Sequence, residues 1–264
     1  MKRLISLAVL TFVAPSLFAG ATYRFRSVTT GMANQTLDGT VKTEGSSIRM
    51  EMKAGDGVLF KNGSVVLSAD GGKTMLVTEP GTRSYYQLDL TDLLGGASSV
   101  TKQFGDLVKF EVRNSRVNVQ HAGDGGTLQG FPSQRSTIDS SYDLVVNAMG
   151  QDMTMSMKNE TEVWWTEKLP VEYTNFLQLR GVRTGIEAVD KMLETQTSSL
   201  KGFPLKQVTT TTVTMNGRPM KSTTTSTVSA VRKARFDAAQ FKVPAGYTRV
   251  ENPIEKMMKR FETK

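Results

Sequence analysis

The stretch from Ser46 to Leu90 constrains the fold more than any other part of the chain, because its apolar residues alternate through short segments separated by turn chemistry. In Ile48-Arg49-Met50-Glu51-Met52-Lys53, apolar and charged side chains take alternate positions, the period-two signature of a strand with one buried face. Val65-Val66-Leu67, Thr74-Met75-Leu76-Val77 and Tyr85-Tyr86-Gln87-Leu88 repeat the theme. Lys61-Asn62-Gly63, Asp70-Gly71-Gly72 and Glu79-Pro80-Gly81 supply the reversals between them. The pattern predicts a curled antiparallel meander, and the lack of helical segments between its strands argues against a parallel sheet.

Ahead of the meander, Lys2 and Arg3 precede a mainly apolar run from Leu4 to Val13, and Ala19-Gly20-Ala21 follows as a small-x-small site. This reads as a signal peptide over residues 1–21, leaving one large β domain over 22–264. A transmembrane anchor is the competing reading, but the apolar run is too short for a hydrocarbon core of about 30 Å. No later segment is long and apolar enough to span, so the expectation is an exported, periplasmic chain without a transmembrane segment. The chain has no cysteine, which removes disulfides, thiolate zinc sites, cysteine nucleophiles and a lipidated cleavage site together. The full chain carries a net +8; without Lys2 and Arg3, 31 basic residues face 25 acidic ones, a net of +6. That balance favours anionic envelope partners, while no basic run with interleaved aromatics suggests nucleic acid.

Thr22 to Thr30 and Thr36 to Thr43 read as edge strands leading into the meander. Beyond it Val100, Phe104, Leu107 and Val108 fall at helical spacing, an apolar stripe that needs a sheet to cover. Strands resume at Lys109 to His121 with a bulge near Asn114-Ser115, followed by a glycine-rich turn at Gly123-Asp124-Gly125-Gly126. A long hairpin, Gln134 to Asn147 and Gln151 to Trp165, turns near Met149-Gly150 and places Met153, Met155, Met157, Val163 and Trp165 on one face. Helical spacing returns in Val171, Tyr173, Phe176, Leu177 and again in Ile186, Val189, Leu193, with Thr184 and Glu187 as a capping box. Threonine- and valine-rich arms from Lys206 to Val231 turn at Asn216-Gly217, and Asn252-Pro253 opens a terminal helix.

Chemistry-bearing residues are sparse. His121 is the one histidine, so His-based zinc sites and triads have no second member, and a surface residue at a strand end is the simpler reading. Gly72-Lys73-Thr74 resembles a phosphate loop only superficially, because Leu67 stands where its first glycine belongs and a strand follows. Met153, Met155 and Met157 admit two readings: soft thioether ligands for Cu(I), or adaptable apolar filler in a chain with 14 methionines. Of each aromatic pair, Trp164-Trp165 and Tyr85-Tyr86, one member should face inward. No cofactor or resident metal is implied, and nothing marks the chain as an enzyme.

The strand Ile48-Arg49-Met50-Glu51, the run from Lys73-Thr74-Met75 through Pro80 to Tyr85-Tyr86, Val163-Trp164-Trp165, and Phe241 through Tyr247 resemble a family of secreted bacterial proteins catalogued as a domain of unknown function. Their broader shape resembles the lipoprotein-carrier (LolA-like) fold. The resemblance implies a mainly β, α+β architecture: a curved antiparallel half-barrel sheet with helices packed on its concave face, and an apolar cavity between them. The chain departs from that pattern in its longer threonine-rich hairpin and basic terminal helix. The expected cavity lining is Met50, Met52, Leu88, Phe104, Leu107, Met153, Met155, Met157, Trp165 and Phe176. The leading functional expectation is a non-catalytic binding protein for a lipid or other hydrophobic small molecule. The alternatives are an envelope interaction module, binding a protein partner through the Lys206–Val231 hairpin, and a methionine-based Cu(I) binder.

Overall fold

The computed structural model describes residues 20–55, 60–89, 108–148, 151–169, 186–253 and 256. Its strands are β1 (Gly20–Gly31), β2 (Gln35–Glu44), β3 (Ser47–Gly55), β4 (Val65–Ser68), β5 (Thr74–Glu79), β6 (Ser84–Asp89), β7 (Val108–Leu128), β8 (Phe131–Ala148), β9 (Gln151–Thr166), β10 (Phe203–Met215), β11 (Arg218–Ala234) and β12 (Thr248–Arg249). The helix α1 (Glu187–Ser198) lies between β9 and β10. All twelve strands form one open sheet in the order β12-β6-β5-β4-β3-β2-β1-β11-β10-β9-β8-β7. Every pairing is antiparallel except the two-residue parallel pairing of β12 with β6.

The meander forms as its alternation requires. One inward row runs through directly paired residues Tyr23, Val41, Met50, Val66, Val77 and Tyr86, crossing six strands from β1 to β6. All six are nearly inaccessible to solvent. The charged partners in the alternation face outward: Arg49 pairs with Glu51 at 2.7 Å and donates to the Gln240 carbonyl, which fixes the short 3₁₀ turn Ala238–Phe241 against that outer face. Tyr23 on β1 and Phe203 on β10 meet edge to face at 5.4 Å between centroids, although β11 lies between their strands. Strands two apart in a flat sheet are separated by about 9.5 Å, a gap the two rings close by reaching over β11, at the irregularity in its pairing with β1 between Thr22 and Arg24.

Several expectations are corrected. The first two strands are interior, not edges, because β11 returns to pair with β1 from Gly20↔Ala234 to Gly31↔Ser222. The long Thr/Ser arms therefore have neighbours on both sides: β10 also pairs with β9. Val108 opens strand β7 instead of closing a helix, while Val100, Phe104 and Leu107 lie outside the described residues. The bulge near Asn114 is present, as a register shift between Arg113 and Arg116 with Asn114 at φ 54°. Gly123–Gly126 do not end the strand; they absorb two further shifts, and the reversal comes at Gln129-Gly130. Helix α1 begins at Glu187 after Ile186, which supplies no side-chain cap; Thr184 lies outside the described residues, as do Val171, Tyr173, Phe176 and Leu177. The expected Asn216-Gly217 reversal is found, both residues having positive φ as a type I′ turn demands. The opening of a terminal helix at Pro253 is also found, Lys256 N–H donating to the Asn252 carbonyl.

Two consequences are measurable. Phe203 is fully buried at the centre of the larger core cluster, so Phe203→Ala is expected to lower unfolding free energy by about 3–5 kcal/mol in urea titrations. Burial, reinforced by the Glu79 carboxylate, pushes the Tyr86 phenol up to about 12, and burial raises Tyr23 in the same direction. The folded state thus holds protons that the unfolded chain releases from about pH 10 upward. The stability tied to Tyr86 is present in full below about pH 10 and is lost as pH rises from there to about 12. Urea midpoints should fall over that window, and less steeply in Tyr86→Phe.

Candidate functional site

The inner face of the sheet carries a graded surface. Row by row along β1, it passes from Phe25 to Ser27 to Thr29, and the neighbouring strands change chemistry in step. At the Phe25 level the paired residues are Val228, Phe25, Gly39 and Met52. A Cβ on Gly39 would stand 2.6 Å from Phe25 Cε1, so only glycine lets the phenyl ring lie across β2. One level on, Ser27 and Ser226 share a hydrogen bond of 3.0 Å, with Gln207 next in line on β10. The next level is a run of threonines, Thr29–Thr224 at 2.9 Å and Thr161–Thr209 at 3.0 Å.

At the junction of the apolar and hydroxyl levels lies a cavity of about 190 Å³. Phe25, Leu37, Met50, Met52, Phe60, Leu205 and Val228 supply its apolar wall, and Ser27, Gln207 and Ser226 its polar side. Its size is below the ~300–1,000 Å³ that encloses a whole drug-sized ligand but above the ~150 Å³ that stays dry and takes up benzene. It can therefore take one small apolar group or a length of chain, with hydroxyls at one side for a polar neighbour.

The expected lining residues are distributed as follows. Met50 and Met52 line the cavity. Leu88 is buried in the same core cluster, opposite Met75, away from the cavity wall. Trp165 belongs to an adjoining cluster with Ile138, Val163 and Leu200, against which Val117 and Val119 also pack. Met153, Met155 and Met157 share the inner face with Trp165, but at the far end of the long hairpins, where Met153 is 44% exposed. Phe104, Leu107 and Phe176 lie outside the described residues. Sequence reasoning missed Phe25, Leu37, Phe60, Leu205 and Val228; the available signal was the alternation of Tyr23 and Phe25, which marks an inward face whichever strand lies alongside.

Helix α1 packs against β7, and Leu200 just beyond it joins the inward-facing Ile138, Val163 and Trp165. Within this group Trp165 Nε1 donates to Ser136 Oγ at 3.0 Å, and His121 Nδ1 lies 3.1 Å from the same oxygen. His121 thus braces a tryptophan through a serine. On the outer face Trp164 takes the opposite role, with Lys206 Nζ 4.6 Å and the Arg135 guanidinium 5.5 Å from its ring. Among the described residues no group of three His, Cys, Asp or Glu could hold a metal ion, and no helix is long and apolar enough to cross a membrane.

Residues 148–247 match a protein family described as a domain of unknown function (DUF4412), in keeping with the resemblance drawn from Val163-Trp164-Trp165 and Phe241–Tyr247. No curated protein matches. Among solved structures, the chain is similar to an uncharacterized conserved protein from Thermus thermophilus (11% identity, 89% of this chain and 92% of that one, TM-score 0.40). It is also similar to a LolA superfamily protein from Nitrosomonas europaea (9%, 86% and 91%, TM-score 0.32) and a DUF1329 family protein from Desulfovibrio piger (9%, 86% and 91%, TM-score 0.31).

The Ser136 hydroxyl is fully buried and receives the Trp165 indole N–H. Ser136→Ala would orphan that donor in an apolar cluster, and is expected to cost about 1–3 kcal/mol by chemical denaturation.

Proposed function

We propose that this protein is an exported, non-catalytic periplasmic binding protein that shelters the apolar part of an amphiphile on the concave side of its sheet. The observation that carries this reading is the cavity of about 190 Å³ whose apolar wall gives way, one level further along each strand pair, to paired hydroxyls. An acyl or similar chain would lose water against Phe25, Met52 and Leu205, while its polar end would meet Ser27, Ser226 and Gln207 as hydrogen-bond partners. The methionines suit a site of variable occupancy, because an unbranched thioether repacks at small cost. In this reading α1 and Leu200 form part of the cover over the concave face. The basic, then apolar, then small-residue leader over residues 1–21 supplies export, with Ala19-Gly20-Ala21 as the small-x-small cleavage site.

The test has two parts. Native mass spectrometry of the protein purified from its own periplasm should show an added small mass that is released on unfolding. A fluorescent fatty-acid analogue should bind the emptied protein and be refused by Leu37→Trp, which places a larger side chain at a half-buried position of the wall. Protein that is always empty and takes up no analogue, or uptake unchanged by Leu37→Trp, would sink the proposal.

A further inference from the structure

The three alternating methionines of β9 are one arm of a larger thioether cluster that the topology assembles. Met155 stands directly opposite Met215 on β10. Met157 stands opposite Val213, and Val213 in turn opposite Met220 on β11. Met153 lies two residues along β9 from Met155, so all five share the sheet's inner face. Directly opposed residues have Cβ atoms about 4.5–5.5 Å apart, and same-face neighbours along one strand are about 6.8 Å apart. Side chains with three rotatable bonds can bring the thioethers of Met155, Met157 and Met215 at such spacings to a common point, while Met220, on β11 and about 9.5 Å across the sheet from Met157, stands at the edge of the group.

Packing does not account for the cluster. Neither core cluster contains any of the five, whereas both Met50 and Met52 and also Met75 sit in the larger one. Met155, Met157 and Met215 are half-buried, and Met153 and Met220 are 44% and 40% exposed, two of the three large apolar side chains most open to solvent among the described residues. Their directly paired inward neighbours are Val146, Leu144 and Tyr142 opposite Met153, Met155 and Met157, Val213 between Met157 and Met220, and Arg218, whose side chain is exposed, opposite Met215. A ligand set of thioethers without imidazole, thiolate or a carboxylate cluster discriminates sharply: it is poor for zinc, calcium and magnesium and suited to a soft monovalent ion.

We propose that Met155, Met157 and Met215, with Met153 and Met220 at the rim, form a binding site for Cu(I). The ion would arrive and leave as Cu(I) by ligand exchange, with no electron transferred. This site is separate from the cavity near Phe25 and stands or falls independently of the lipid reading.

Two measurements test it on the full exported chain. Under anaerobic conditions, Cu(I) presented as a coloured chelate should transfer to the protein. That transfer should be lost when Met155→Leu, Met157→Leu, Met215→Leu and Met220→Leu are combined, and kept in Met75→Leu, a buried methionine of β5 in the larger core cluster. Independently of any variant, Ag(I) added as a redox-inert surrogate to protein labelled at its methionine methyl groups should shift the resonances of the cluster and leave those of Met50, Met52 and Met75 in place. No transfer to the unmodified protein, transfer unchanged by the four leucines, or Ag(I) shifts confined to other methionines would each overturn the proposal.

Discussion

The pairing of β1 with β11 is the contact on which the architecture depends. It joins strands from opposite ends of the described chain, as in the Ser27–Ser226 hydroxyl bond, and it welds two locally formed units into one sheet: the meander β2–β6 on one side and the long hairpins β7–β10 on the other. Each unit is built from neighbours in sequence, whose closure entropy is small. The seam between them closes the largest loop in the molecule, so it carries the greatest closure entropy of any pairing in the sheet. The threonines and serines of both strands make this pairing polar as well as extensive, with side-chain hydrogen bonds added to the backbone ladder.

The cavity sits on that seam. Phe25 and Ser27 come from β1, Ser226 and Val228 from β11, and the rest of the wall from the strands to either side. Gly39 on one flank and the register shift between Pro204 and Lys206 on the other relax the regular packing of side chains just where the two units meet. A molecule held there would touch both units at once. By linkage, its binding energy would add to the stability of the seam, in proportion to the logarithm of its concentration over its dissociation constant.

How much of this was legible in the sequence follows from the range of the forces involved. The meander, the hairpin that closes with Ala148 opposite Gln151, the Asn216-Gly217 reversal and the inward face of Met153 to Trp165 are local facts, written in alternation and turn chemistry, and they are found. Strand order is not local. Nothing in Tyr23 or Phe25 says that the neighbour will be Val228, so β1 reads as an edge when it is central. Gly123–Gly126 mislead for a related reason: positive φ serves a bulge as well as a turn, and only the partner strand decides which. The cavity was expected from a resemblance, and two of its wall residues, Met50 and Met52, from alternation; the other walls come from strands brought together by long-range pairing. The same limit explains why three methionines were visible in β9 while Met215 and Met220 were not seen beside them.

The three register shifts of β7 have a consequence of their own. This strand is one margin of the sheet and, at 21 residues, its longest. A straight strand of that length with unpaired N–H and C=O groups would template the addition of another chain. Interrupted at Arg113–Arg116, His121–Gly123 and Asp124–Thr127, its longest regular runs are the six residues Val108–Arg113 and Arg116–His121, so a second strand could not stay in step along its whole length, and Arg113, Arg116 and Asp124 add charge at the interruptions. The irregularities thus let the sheet end with its longest strand and still discourage growth from that margin.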